Sequence, residues 1–212
     1  MLILIDVDNV ISDFVATMVA YMNIKYGKQY KKEDVTVWDF VESPNIDLEL
    51  SDFHQCLNEY IGMGLWDKQP VYEDASEILH KLMENHCVVY LTCRPAAALT
   101  VTTKYFQDNN LPFNSFRIVE DDQQPIGCGD IALCHGRNKG VIAKQWGADL
   151  AIDDRPSTVQ DYLDQGMRIV RKEEPYNNDV EYTGNIKLLR SAPNLTGFLK
   201  IVEDLASGSW QE

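Results

Sequence analysis

Asp6 and Asp8 stand two residues apart, directly after the apolar run Met1 to Ile5. Residues at that spacing on an extended backbone point the same way, so both carboxylates can face one ligand. One carboxylate can attack phosphorus to give an acyl-phosphate, which divides a hydrolysis into two easier steps. The other, as the acid, can protonate the leaving oxygen and then take a proton from the attacking water. Two acids in a solvated turn would look the same, so the pair alone decides little.

Three further positions change the balance. Asp153-Asp154 follows the apolar run Leu150-Ala151-Ile152. Acids gathered at one point cannot all stay ionised without a cation. Mg²⁺ is the natural one, because it takes oxygen ligands, keeps several waters and often bridges carboxylates to phosphate. The competing reading is a helix cap ahead of Pro156 and Ser157, a role Asp154 could take while Asp153 binds metal. Thr92 closes Val88-Val89-Tyr90-Leu91. Its hydroxyl, with the backbone N–H of Cys93, could donate to a phosphoryl oxygen. Taken singly it is an ordinary strand threonine. Lys139 opens a helical run, where an ammonium could neutralise both a nucleophile and a transferring phosphoryl group. Taken singly it is a surface lysine.

The elements that must hold these groups follow from periodicity. Met1 to Val7 reads as a buried parallel strand. Val10, Phe14, Val15, Met18, Val19 and Met22 then recur at helical spacing. Ile24 to Gln69 is rich in aromatics, acids and lysines, with a helical piece over Ser51 to Tyr60 and Ser51 as its expected cap. Beyond Pro70, helices are expected over Asp74 to Asn85, Ala96 to Asn109, Lys139 to Trp146, Ser157 to Gln165 and Leu195 to Leu205. Strands are expected over Cys87 to Leu91, Phe116 to Val119, Asp149 to Ile152 and Arg168 to Val170. Strands separated by helices predict an α/β fold, a parallel sheet with helices on both faces. Ligands of such sheets sit beyond the carboxyl ends of the strands, which is where Asp6, Asp8, Thr92, Asp153 and Asp154 fall.

The 212 residues suffice for one filled core plus a small accessory lobe. A net charge of −14 disfavours a nucleic-acid polymer as substrate. A small anion remains compatible, because a metal and local cations can reverse the field inside one cleft. No apolar run approaches the roughly 20 residues that span a bilayer. The start of the chain has neither the basic flank nor the cleavage site of a signal peptide. Five cysteines without a C-x-x-C read as reduced thiols, and the protein is expected to be cytoplasmic. Cys128, Cys134 and His135 lie close together, but their spacing fits no common zinc pattern.

D-x-D, then Thr, then Lys, then Asp-Asp, in that order, resembles the haloacid dehalogenase-like (HAD) superfamily. Asp6-Val7-Asp8-Asn9-Val10, Leu91-Thr92, Lys139 and Ile152-Asp153-Asp154 match its four motifs across nearly the whole chain. The resemblance implies a Rossmann-like core and Mg²⁺ held by Asp6, the Asp8 carbonyl and Asp153, with Asp154 acting through water. An aspartate at the second D-x-D position implies a phosphatase. Within that superfamily the chain is similar to the 5′(3′)-deoxyribonucleotidase group, through Asp6-x-Asp8-x-Val10-x-x-Asp13-Phe14, Arg137-Asn138-Lys139 and Ala148-Asp149-Leu150-Ala151-Ile152-Asp153-Asp154-Arg155. It departs from the group at Asn9, where Gly is usual, and at Thr92-Cys93-Arg94-Pro95, where T-S-P-x-K is usual. Arg94 could supply the cation lost there and is expected, with Thr92, Cys93 and Lys139, to bind phosphate.

Residues 24–69 correspond to what the family calls a cap, inserted after the first strand and helix, leaving 1–23 and 70–212 as the core. A cap excludes water and polymers and favours small phosphomonoesters. Phe14, Trp38, Phe40 and Trp66 could stack on a nucleobase or form the cap's own core. Phe14 is placed by the matched opening motif, and Arg137 by resemblance contacts the substrate phosphate. The expected partner is a nucleoside monophosphate or similar small phosphomonoester, with no nucleic-acid polymer and no membrane; a homodimer is left open. Two other readings compete. One is a phosphate-sensing or partner-binding domain without turnover. The other is a phosphotransfer receiver domain, which the long insertion and the D-x-D oppose.

Overall fold

The computed structural model describes residues 1–119, 127–134 and 138–210. In chain order the strands are β1 (Leu2–Ile5), β2 (Cys87–Thr92), β3 (Ser115–Ile118), β4 (Asp130–Leu133), β5 (Leu150–Asp153), β6 (Ile169–Lys172) and β7 (Leu189–Ala192). The helices are α1 (Phe14–Tyr26), α2 (Leu50–Gly62), α3 (Ala75–Asn85), α4 (Leu99–Asp108), α5 (Lys139–Trp146), α6 (Pro156–Asp164) and α7 (Leu195–Ala206). The seven strands form one parallel sheet in the order β3-β4-β2-β1-β5-β6-β7. This is the expected Rossmann-like α/β architecture.

Alternation along the strands sorts their side chains into two layers. Ile3, Ile5, Val88 and Tyr90 face a core shared with Ile78, Leu79 and Leu82 of α3, Phe106 of α4 and Phe198 of α7. Leu4, Val89, Leu91 and Ala151 face the other way, against Ile142 of α5 and Val159 and Tyr162 of α6. Burying each such aliphatic side chain contributes about 1.5–3 kcal/mol. Both faces of the central strands are thus covered, which is why those strands read as unbroken apolar runs. β1 lies between β2 and β5, pairing Ile5 with both Tyr90 and Ile152. The chain winds to one side of β1 through β2, and to the other through β5. The crevice at the carboxyl end of β1 is therefore the switch point of the sheet.

The segment between α1 and α3 carries α2 and three short 3₁₀ turns, Lys32–Asp34, Phe40–Glu42 and Leu65–Lys68. Its buried residues Phe40, Tyr60 and Trp66 cluster with Val15, Met18, Val19 and Met22 of α1. The Lys32 ammonium ties this segment back to Asp13 at 3.1 Å and Glu174 at 2.9 Å.

Several elements differ from expectation. β4 was not expected, because its three apolar residues, Ile131 to Leu133, after Gly127-Cys128-Gly129-Asp130 are too few to separate from a loop. β7, Leu-Arg-Ser-Ala at the sheet edge, shows no clear alternation. α2 begins at Leu50 with Glu49 as its cap position, so Ser51 lies inside the helix. The reading of all cysteines as thiols is corrected for one pair, because Cys87 and Cys128 form a disulfide. Cys56, Cys93 and Cys134 are thiols. Among the described residues, no helix is long and apolar enough to cross a membrane.

Candidate active site

β1 delivers Asp6 to the rim of the sheet, where its N–H donates to the Ile152 carbonyl at 3.1 Å. The chain then turns sharply. Asn9 has φ of 60°, a left-handed conformation that glycine and asparagine tolerate best. That explains how Asn9 can stand where the resembled group has Gly. Asn9 also does what glycine cannot. Its Oδ1 accepts from Val15 N at 3.0 Å at the start of α1, and its Nδ2 donates to Asp154 Oδ2 at 3.2 Å.

Lys139 opens α5, whose Asn138 cap accepts from Val141 N at 2.8 Å. Gly140 lets α5 approach α6: a Cβ there would sit 2.6 Å from the Asp161 carbonyl oxygen. The Lys139 ammonium reaches Asp6 at 2.9 Å and Asp153 at 2.7 Å. Burial pulls its pKa down, but the charges of Asp153 and Asp6 outweigh that and hold it well above the ordinary lysine value. Burial pushes Asp6 up, Lys139 opposes it, and Asp153, Asp154 and Asp8 add to the rise. Asp154 is raised to about 7 by burial and then by Asp153.

Asp8 points to a different partner. The buried Arg94 guanidinium grips its carboxylate, Nη2 to Oδ1 at 2.6 Å and Nε to Oδ2 at 3.0 Å. Arg94 also donates to Gln69 at 2.9 Å and Thr102 at 3.2 Å, and lies over the rings of Trp66 and Tyr105. The guanidinium expected to bind phosphate is therefore engaged with the acid of the D-x-D.

A cavity of about 150 Å³ joins these groups. Asp6, Asp8, Thr92, Cys93, Arg94 and Lys139 line its strand-end side, and Phe14, Trp38 and Trp66 its other side. Phe40 is buried instead inside the cluster that α1 forms with α2 and the 3₁₀ turns, edge-on to Phe14 at 6.3 Å. Trp66 is also largely buried, and its Nε1–H has no acceptor among the described residues. Such a buried donor costs free energy until an acceptor is supplied. The Cys93 thiol is pulled down to about 6, first by its hydrogen bond with Cys134, against burial. Arg137 lies outside the described residues, as does His135.

The chain is similar to known proteins in sequence and in fold. Residues 1–188 match the family described as 5′ nucleotidase, deoxy (pyrimidine), cytosolic type C protein. The chain belongs to that type C nucleotidase family. BH1399 of Halalkalibacterium halodurans, provisionally assigned as a nucleotidase, is 26% identical over 121 residues, which are 54% of this chain and 57% of that protein. The match thus spans little more than half of that relative. Solved structures share the fold at low identity. A haloacid dehalogenase-like hydrolase of Streptococcus pneumoniae superposes with TM-score 0.60 at 10% identity, over 95% of this chain and 97% of its own. YfnB of Bacillus subtilis, provisionally assigned as a HAD-hydrolase and bound to magnesium, superposes with TM-score 0.57 at 12% identity, over 95% and 98%.

The acids of this type C family member suit a hard cation. Carboxylate oxygens of Asp6, Asp153 and Asp154 lie within 4.8 Å of one another. Asp154 Oδ1 is buried without a hydrogen-bond partner among the described residues. An all-oxygen donor set with one unsatisfied buried oxygen is what Mg²⁺ takes.

Tyr176, Asn177 and Arg155 were missed in the sequence. The Tyr176 hydroxyl donates to Asp154 Oδ2, and Asn177 Nδ2 donates to the Asp154 carbonyl at 2.7 Å. They follow β6, so the strand-end rule that found the other acids would have reached them. Arg155 lines the cavity and lies 5.3 Å above the Trp38 ring. Asp154 is not the cap of α6; that position is Arg155, with Pro156 as the first helical residue.

Proposed function

We propose that this protein is a Mg²⁺-dependent phosphomonoesterase acting on nucleoside monophosphates. The observation that carries the reading is that Asp6 and Lys139, which line a cavity together with Phe14, Trp38 and Trp66, meet the buried Asp153 and Asp154 behind them. Asp6 attacks phosphorus and forms an aspartyl-phosphate. Asp8 protonates the leaving oxygen, then takes a proton from the water that attacks the intermediate. Lys139 balances charge on Asp6 and on the phosphoryl oxygens. Thr92 and the Cys93 N–H donate to those oxygens, and Arg94 fixes the orientation of Asp8. Asp6, the Asp8 carbonyl, Asp153 and Asp154 would hold Mg²⁺, directly or through water, and the ion would supply positive charge where the phosphoryl group gains negative charge.

Phe14, Trp38 and Trp66 would take the nucleobase, each base–aromatic stack contributing about 1–3 kcal/mol. The family's description favours deoxyribose and pyrimidine. A cytoplasmic location rests on that description as well, because the Cys87–Cys128 bond removes the support first drawn from the cysteines.

The test is phosphate release with Mg²⁺ across nucleoside monophosphates, sugar phosphates and simple alkyl phosphates. Preference for nucleotides supports the reading. Strong preference for sugar phosphates sinks the nucleotidase assignment and leaves the phosphatase. No release from any ester sinks both and favours a phosphate-binding domain without turnover.

A further inference from the structure

Four of the five cysteines form two pairs with the same offset. Cys87 and Cys128 are 41 residues apart, as are Cys93 and Cys134. β2 and β4 pair with that offset too, Tyr90 facing Ile131 and Thr92 facing Leu133. The Cys134 N–H continues the ladder by donating to the Thr92 carbonyl at 2.9 Å. One cysteine pair thus lies just before the paired residues of β2 and β4, and the other just beyond them. The pair at the amino ends of the strands is closed by a disulfide. The pair at the carboxyl ends lies beside the cavity and consists of two thiols with sulfurs 3.8 Å apart.

The second pair stands on neighbouring strands with its sulfurs already 3.8 Å apart. Neighbouring strands run about 4.8 Å apart, and a disulfide asks for Cα atoms about 4.4–6.8 Å apart and sulfurs about 2.05 Å apart. Closure asks for side-chain rotation and a shift of the turn after Thr92 that brings the sulfurs from 3.8 Å into bonding distance. The two thiols also differ in access. Cys93 is exposed and lines the cavity, whereas Cys134 is buried behind it. A small oxidant can reach the first and leave the second as the resolving thiol.

We propose that Cys93 and Cys134 form a redox site, at which hydrogen peroxide makes a second cross-strand disulfide that suppresses phosphate release. The suppression rests on the phosphatase reading; the disulfide does not. The Cys93 sulfur, as thiolate, attacks one peroxide oxygen; an S–O bond forms, the O–O bond breaks and hydroxide leaves. The Cys134 sulfur then attacks the Cys93 sulfenic acid; the S–S bond forms, the S–O bond breaks and water leaves with the Cys134 proton. Two thiols lose two electrons, and one peroxide becomes two waters. A dithiol reverses the step by exchange. Closure draws Cys93 inward, and with it the turn that carries Thr92 and Arg94. Displacements of about 1 Å in such positioning cost roughly 100-fold in rate.

The full chain is treated with hydrogen peroxide, alkylated, digested without reduction and mapped by mass spectrometry, with phosphate release measured in parallel. A peptide linking Cys93 to Cys134 is expected, with release lowered roughly 100-fold and restored by dithiothreitol. Cys134→Ser should keep its release before treatment, form no link, and leave Cys93 as a sulfenic acid that dimedone traps. Activity loss without the linked peptide overturns the disulfide. A linked peptide with unchanged release overturns the suppression. Absence of dimedone labelling in Cys134→Ser overturns Cys93 as the attacking thiol. If no phosphomonoester is hydrolysed at all, the suppression falls with the phosphatase reading, and the linked peptide alone decides the redox site.

Discussion

The two walls of the cavity are built on different principles. The strand-end wall is held by the sheet. Asp6, Thr92 and Asp153 each end or follow a strand, and register alone brings them together. The aromatic wall has no ladder. Phe14 and Trp66 line the cavity while also belonging to the packed cluster of α1, α2 and the 3₁₀ turns. On the first wall a side chain can be spent on chemistry, because backbone hydrogen bonds supply the structure. On the second wall the same rings must serve packing and recognition together. Substitutions should therefore separate cleanly into chemistry and stability on the strand-end wall, and mix on the aromatic wall.

The largest expected effect is at the strand-end wall. Asp6→Asn should lower kcat by at least ~10⁴-fold, the scale of removing a nucleophile, with the unfolding midpoint in urea little changed. A variant that retains a tenth of the activity would break the proposed division of labour. Arg94→Ala tests the joint between the walls, because its guanidinium grips Asp8 and lies over Trp66. Removing one partner of a buried ion pair costs about 3–5 kcal/mol, so urea unfolding should show a loss of that order alongside reduced kcat. Full stability in Arg94→Ala would mean that the two walls are independent.

Trp38→Ala should act on recognition. The ring is half-buried, packed on Tyr176 at 5.3 Å and beneath Arg155. Loss of one stack worth about 1–3 kcal/mol should raise KM for nucleotides roughly 5- to 150-fold and leave KM for an alkyl phosphate unchanged. An equal rise for both would assign the ring to packing alone.

The smallest effect is in pH. Asp154 titrates near 7 in the fold, against an ordinary value of 3.8. A raised carboxyl lends its full stability below about pH 4 and loses it as pH rises through 7. The metal-free protein should weaken over that interval. Mg²⁺ compensates the charge that appears, so the rise in Tm on adding Mg²⁺ should be larger near pH 8 than near pH 5. Equal rises at both pH values would detach Asp154 from the cation.

The same contrast explains what was legible in the sequence. Asp6, Thr92 and Asp153 stand out because fully buried strands are apolar runs and ligand-facing residues follow them. Lys139 stands out through motif order. β4 escapes because three apolar residues close to glycines carry no period. Arg94 was legible as a cation but not as the partner of Asp8, since that contact depends on how the turn after Thr92 folds back toward Asp8 and Trp66. The cysteine pairs became visible only with the β2–β4 register, because an offset of 41 means nothing until two strands share it.

The central place of β1 has a consequence for how the protein is made. Ile3 pairs with Leu150, so the strand that carries Asp6 is synthesised long before its partner β5. At about 5–20 residues per second, Asp6 leaves the ribosome roughly 7–30 seconds ahead of Asp153. During that interval β1 can pair with β2 but presents an open, apolar edge on its other side. The nascent chain therefore carries Asp6 on an incomplete sheet, and the acid cluster can close only once β5 has been made. Substitutions that weaken α5 or β5 should accordingly show first as aggregation during expression, before any defect in the finished protein.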